Sequence, residues 1–174
     1  MNRNLIIINV GGTFNKVYNP LNGELLIPTS NQTIFEIVHK VCKTKNTISI
    51  DGLIYKDSLQ MDKNDRLTLL EKIKTLKETK IIIIHGTDTM KKSAKVLSKF
   101  IKDKTIIFVG AMQPYSIEPV EASATLFMAL GFLKNIKNKD SKNKMQGVYI
   151  CMNGLIAKYN KIKKNYEKGV FECL

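Results

Sequence analysis

Apolar residues along this 174-residue chain fall into two kinds of run. The first kind is nearly continuous: Leu5–Val10, interrupted only by Asn9, then Ile81–Ile84, Thr105–Val109 and Gly147–Met152, with a weaker stretch at Ile48–Tyr55. Short continuous apolar runs bounded by turn residues predict strands buried on both faces. The second kind recurs every three or four residues. Ile34, Ile37, Val38 and Val41 share one helical face, and Leu67, Leu70, Ile73 and Leu76 a second. Met90, Ala94, Leu97 and Ile101 form a third, and Ala122, Leu126, Leu130 and Leu133 a fourth, with Pro119 at a permitted helix start. Alternation of the two kinds predicts a single α/β domain over residues 1–174. It is a flavodoxin/Rossmann-like, doubly wound, mainly parallel sheet of about five strands in three layers. The polar stretch Lys134–Lys144 reads as a connection without function. Phe14–Thr29 carries turn residues at Asn19-Pro20 and Asn22-Gly23 and separates the first strand from the first helix. It is either a functional flap or a short hairpin.

The formal charge of +13 raises nucleic acid as a partner. Arg3 and Arg66 are the only arginines among 28 basic residues, and the lysines are scattered over most helices and loops. Base and phosphate readout leans on the bidentate arginine fork, so a solvated lysine surface is expected and no specific nucleic acid. Cys42, Cys151 and Cys173 have neither metal-ligand nor CxxC spacing and read as reduced thiols. His39 lies in a helical pattern and His85 ends a buried strand, so both read as structural and no metal is expected. No apolar run approaches the roughly 20 residues of a membrane helix. The Leu5–Val10 run is too short for a signal-peptide core and lacks a small-residue cleavage site, so a cytoplasmic location is expected, with no membrane partner.

Chemistry concentrates in two turns. The four isoleucines Ile81–Ile84 run into His85-Gly86-Thr87-Asp88-Thr89-Met90, and Leu5–Val10 runs into Gly11-Gly12-Thr13. Open α/β sheets place their sites at the carboxyl ends of strands, beside helix N-termini. Each turn has a plain structural explanation, because Thr and Asp are common caps. Gly11-Gly12-Thr13 is neither GxGxxG nor GxxxxGK[ST], so it carries no nucleotide-binding signature. Together the turns predict two threonines facing one another across a pocket. A threonine hydroxyl becomes a nucleophile only when a base takes its proton.

Gly11-Gly12-Thr13, Asp57-Ser58, His85–Met90, Gly110-Ala111-Met112-Gln113-Pro114 and Gly147–Asn153 occur in that order. In this the chain resembles the bacterial-type L-asparaginases. The resemblance covers only the N-terminal domain of the two-domain enzymes and implies a short, single-domain form. It implies hydrolysis of the L-asparagine side-chain carboxamide to L-aspartate and ammonia, without a cofactor. Thr13 would be the nucleophile and Thr87, Asp88 and Lys164 the supporting triad, with Tyr18 on the flap bonding near Thr13. Lys164 is reached by counting from Met152-Asn153, a register that Lys161 and Lys163 leave open by a residue or two. Ser58 would bind the substrate α-carboxylate and Asp88 its α-ammonium. Gly12, Asp57, Gly86, Thr87 and Ala111 would complete the substrate pocket. Val10, Phe14 and Asn15 depart from the family's usual threonine, small aliphatic residue and aspartate at the rim of the first turn.

A homodimer or larger homo-oligomer is expected, since a small open cleft needs a neighbour to close it. Two rivals stay open. One is a catalytically weak amide- or amino-acid-binding module of the same ancestry, a sensor or partner protein. The other is a non-specific nucleic-acid binder, whose binding would fall steeply with salt.

Overall fold

The computed structural model describes residues 5–42, 48–136 and 145–174. Its elements, in chain order, are β1 (Leu5–Gly11), β2 (Val17–Asn19), β3 (Glu24–Leu26), α1 (Gln32–Val41), β4 (Ile48–Lys56), α2 (Lys63–Thr75), β5 (Lys80–Ile84), α3 (Met90–Phe100), β6 (Thr105–Val109), α4 (Pro119–Asn135), β7 (Gly147–Met152), β8 (Leu155–Lys158), β9 (Ile162–Asn165) and β10 (Val170–Cys173). The central sheet has six strands in the order β4-β1-β5-β6-β7-β8. The first five are parallel, with Ile7 level with Ile50 and Ile82, and Ile107 level with Ile82 and Tyr149. Only β8 runs antiparallel, paired to β7.

Strand side chains alternate between two cores, as the pleat requires. Ile81, Ile83, Ile106 and Phe108 face Leu69, Leu70 and Ile73 of α2 and Met90, Ala94 and Leu97 of α3. Ile82, Ile84, Ile107 and Val109 face Ile34, Ile37 and Val38 of α1 and Ala122, Leu126, Leu130 and Leu133 of α4. Three layers result, and the apolar runs are continuous because both faces are covered. The α2 face differs from the sequence expectation: Leu69 is buried and Leu67 is exposed. Leu67, Leu69 and Leu70 offer two overlapping stripes, and periodicity alone does not choose between them. The ends of α2 do: Asp62 and Asp65 form a reciprocal capping box, and Lys56 bonds the Asp65 carboxylate. Val41 of α1 is likewise exposed.

Phe14–Thr29 contains a short hairpin, β2 with β3, following a single 3-10 turn at Thr13–Asn15. Residues 137–144, most of the polar Lys134–Lys144 connection, lie outside the described residues. Beyond β7 the chain does what the sequence reading did not foresee. Asn153 and Gly154, both with positive φ, turn β7 into β8, and β9 and β10 then form a further hairpin. Ile162 and Phe171 anchor that hairpin in the core shared with α3, and Lys91 of α3 donates to the Ile162 carbonyl at 2.9 Å. No helix among the described residues is long and apolar enough to cross a membrane.

Candidate active site

The parallel strands follow the order second-first-third-fourth-fifth, so the chain direction of winding reverses between β1 and β5. Loops leaving the carboxyl ends of two such strands diverge to opposite faces and open a crevice between them. Those loops are the two turns singled out by the sequence. They touch through glycine: a Cβ on Gly12 would lie 2.3 Å from the Gly86 amide nitrogen. Gly12 has φ 87° and ψ 179°, a conformation essentially reserved for glycine. Thr13 and Thr87 each follow one of these apposed glycines. Gly86 packs in turn on Ser58, whose Cβ and Oγ lie 2.7 Å from a Gly86 Cβ position. Gly110 packs on the His85 carbonyl, also at 2.7 Å. The turns after β1, β4, β5 and β6 are thus brought to one crest.

Lys164 enters this crest from the C-terminal hairpin. Its ammonium donates to Thr87 Oγ1 at 2.8 Å and to Asp88 Oδ1 at 2.7 Å. The lysine side chain is only 10% exposed. Its β9 register opposite Phe171, which is buried, orients it. Lys161 and Lys163 are exposed, so the fold separates Lys164 from its neighbours. Tyr166, unmarked by the sequence reading, donates to the Asp88 carbonyl and lies 5.2 Å from the Lys164 ammonium by its ring.

Other assigned residues have different surroundings. Ser58 is 0% exposed: its hydroxyl accepts from the Thr89 amide at 3.3 Å and its carbonyl from Thr89 Oγ1 at 2.7 Å. In this arrangement it presents no surface to a solute, and it braces the Thr87–Thr89 turn instead. Arg66 strengthens the brace, donating to Thr89 Oγ1 and to the carbonyls of Met61 and Asp62. Tyr18 is 58% exposed on β2, and its hydroxyl lies 4.0 Å from a Gly23 Cβ position, over the turn of its own hairpin. Ala111 is buried, and the next two amides, of Met112 and Gln113, donate to the Glu121 carboxylate. Asp57 is paired with Lys16 at 2.8 Å. Burial would raise the Asp57 carboxyl, but the Lys16 hydrogen bond and the Leu59 amide hold it below the ordinary aspartate value.

His85 lies under the site, fully buried. Its Nδ1 faces the Gly86 carbonyl and its Nε2 the Ser93 hydroxyl, both at 2.8 Å. A carbonyl only accepts, so Nδ1 carries the proton and Nε2 accepts from Ser93. Burial lowers its pKa to about 4, and the nearby Arg66 charge adds to the depression. A neutral ring therefore ties the Gly86 turn to α3. No group of His, Cys, Asp and Glu able to hold a metal ion occurs among the described residues.

The Thr87 hydroxyl, the Asp88 carboxylate and the Lys164 amine thus meet at the carboxyl end of a doubly wound parallel sheet, beside its switch point. The family is set by sequence: the family model for the asparaginase N-terminal domain matches residues 4–170, and the chain belongs to that family. It is 29% identical over 163 residues to L-asparaginase 2 of Escherichia coli, covering 88% of this chain and 44% of that relative. The fold resembles a probable cytoplasmic L-asparaginase from Campylobacter jejuni, with TM-score 0.77 and 26% identity over 99% of this chain and 53% of that one. A thermostable L-asparaginase from Thermococcus kodakarensis shares the fold at TM-score 0.79 and 20% identity, over 98% of this chain and 51% of that one. The chain thus spans about half the length of the relatives it matches.

Proposed function

We propose that this domain is an amidohydrolase acting on the side-chain carboxamide of L-asparagine or a close analogue. The observation that carries the reading is the Lys164 ammonium bonded to both Thr87 and Asp88 beside the Thr13 turn. In this reading the Thr13 hydroxyl attacks the amide carbon, and its proton passes through the Thr87 hydroxyl to Lys164, which enters the step as a neutral amine and becomes the ammonium bonded to Thr87 and Asp88. The pair returns the proton to the amide nitrogen, the C–N bond breaks, and ammonia departs. A water molecule then cleaves the Thr13 ester, releasing the acid and restoring the hydroxyl. Asp88 has two uses: one oxygen holds Lys164, and the carboxylate attracts the substrate α-ammonium. Burial of the lysine side chain strengthens these contacts, because water screens them less.

Tyr18 reaches the reacting groups only if the β2–β3 hairpin folds over the crest, which makes it a closing residue that excludes water. Ser58, Arg66 and Thr89 form the scaffold that holds Asp88 in place. We also carry a homo-oligomer as part of this reading, supported by the apolar residues Val17, Leu21, Leu25 and Leu26 exposed on the hairpin. We place the protein in the cytoplasm, where the three free thiols persist.

Ammonia release from L-asparagine tests the proposal. Thr13→Ala, Thr87→Val and Lys164→Met are each expected to lower kcat by about 10²- to 10⁴-fold, the range associated with positioned proton transfer and an activated nucleophile. Release that survives Thr13→Ala overturns the nucleophile. Asparagine binding without release by the native chain favours the binding module.

A further inference from the structure

Burial of Ser58 leaves the substrate α-carboxylate without the partner the family resemblance gives it. The same corner of the crest holds a cation. Lys16 closes the 3-10 turn that begins at Thr13, its amide donating to the Thr13 carbonyl at 3.1 Å. Its backbone carbonyl is fixed by the Ser116 hydroxyl at 2.9 Å. From this anchored backbone the side chain crosses to the β4 turn, and Nζ lies 2.8 Å from Asp57 Oδ2. Asp57 is itself held, its other oxygen accepting from the Leu59 amide at 3.0 Å. Asp57 directly precedes Ser58, the residue packed under Gly86. The ammonium is therefore suspended between the Thr13 turn and the Asp57-Ser58 turn, on the β4 side of the crest. Side-chain exposures of 21% for Lys16 and 25% for Asp57 leave the pair open to a solute but sheltered from bulk water.

We propose that Lys16, aimed by Asp57, receives the α-carboxylate of the substrate and gives the site its preference for amides that carry one. The proposal rests on the amidohydrolase reading above. An ammonium has three donors, and Asp57 takes one of them. The empty pair is neutral, and a zwitterionic amino acid adds no net charge when its carboxylate meets Lys16 and its ammonium meets Asp88. Asp57 is a positioning residue: it keeps a long, flexible side chain in one place, so less rotamer freedom is lost on binding. Lys16 lies outside the five segments that carry the family resemblance, which is why position in sequence did not mark it.

The test pairs kinetics with equilibrium binding on the native chain, Lys16→Met, Lys16→Arg and Asp57→Asn. Two small acids separate the groups: L-aspartate carries the α-carboxylate, and β-alanine is the same molecule without it. Lys16→Met is expected to raise KM for L-asparagine about tenfold or more while kcat changes little, the signature of a lost charge-assisted contact made equally in ground and transition states. L-Aspartate binding weakens in parallel by calorimetry, β-alanine binding does not, and Lys16→Arg restores most of the loss. Asp57→Asn gives the same pattern, weaker. Ammonia release with KM untouched by Lys16→Met overturns the role of Lys16 and leaves the hydrolase standing. Equal losses for L-aspartate and β-alanine also overturn it. Lys16-dependent aspartate binding without ammonia release keeps the carboxylate site and removes the hydrolase. Absence of both removes both.

Discussion

Gly12→Ala measures how closely the two turns of the crest are pressed together. The new methyl would lie 2.3 Å from the Gly86 nitrogen, 2.5 Å from its Cα and 2.8 Å from the His85 carbonyl carbon. All three are backbone atoms, so no side chain can swing away. The residue would also hold φ 87° and ψ 179°. That backbone region costs a non-glycine residue about 1–3 kcal/mol, and forced overpacking about 1–3 kcal/mol more. The combined loss is about 4 kcal/mol, a large part of the roughly 5–15 kcal/mol available to a domain. Two other glycines separate the contributions. Gly154 has φ 78° with nothing within 4 Å of a Cβ, so Gly154→Ala carries backbone strain alone, about 1–2 kcal/mol. Gly131 lies inside α4 with open space and an ordinary backbone, so Gly131→Ala is expected to stabilise by about 0.5–1 kcal/mol. Urea unfolding of the three variants, with slopes unchanged, reads these differences. In thermal melts Gly12→Ala falls by about 10 °C. Ammonia release falls with it, since the Thr13 turn must retreat from Gly86. A Gly12→Ala loss no larger than that of Gly154→Ala would refute the close apposition on which the site is built.

The buried His85 imposes a pH signature. Its folded pKa is about 4, below the ordinary 6.5, so the unfolded chain binds the proton first as pH falls. Stability contributed by the neutral ring is whole above pH 6.5 and is lost between about 6.5 and 4, by up to roughly 3 kcal/mol at 1.36 kcal/mol per unit. His85→Gln should therefore show a shallower decline across that window, and parallel profiles would contradict the assignment. Cys151 is buried and its thiol is pushed up to about 12, whereas Cys173 is exposed. A disulfide reagent is expected to label Cys173 in the native protein and Cys151 only on unfolding; fast native labelling of Cys151 would place it outside the core.

The segment after β7, residues 153–174, was the part of the fold least legible in the sequence. Asn153-Gly154 is the dipeptide favoured in two-residue hairpin turns, and it joins Met152 to Leu155 in that way. The signal was present, but β8, β9 and β10 are four residues each, and Lys158, Lys163, Lys164 and Glu172 interrupt their apolar positions, so neither periodicity nor apolar run marked the strands around it. Tyr166, Arg66 and Lys16 escaped for a related reason: each acts through a partner far along the chain. Arg66 bonds Thr89, and Lys16 bonds Asp57 across 41 positions.

The amino-acid order alone determined the layers and the winding. Doubly buried strands must be apolar throughout and covering helices amphipathic, so hydrophobic burial writes itself into local pattern. It also determined which turns carry hydroxyls and a carboxylate, because a glycine-rich turn after a buried strand is a local feature. Only the tertiary structure decided that Gly12 would abut Gly86, that Ser58 would be sealed beneath it, and that Lys164 rather than Lys161 or Lys163 would meet Thr87 and Asp88. Those outcomes depend on strand order and on the anchoring of Phe171 and Ile162 in a distant core. Packing between remote segments leaves no periodic trace along the chain.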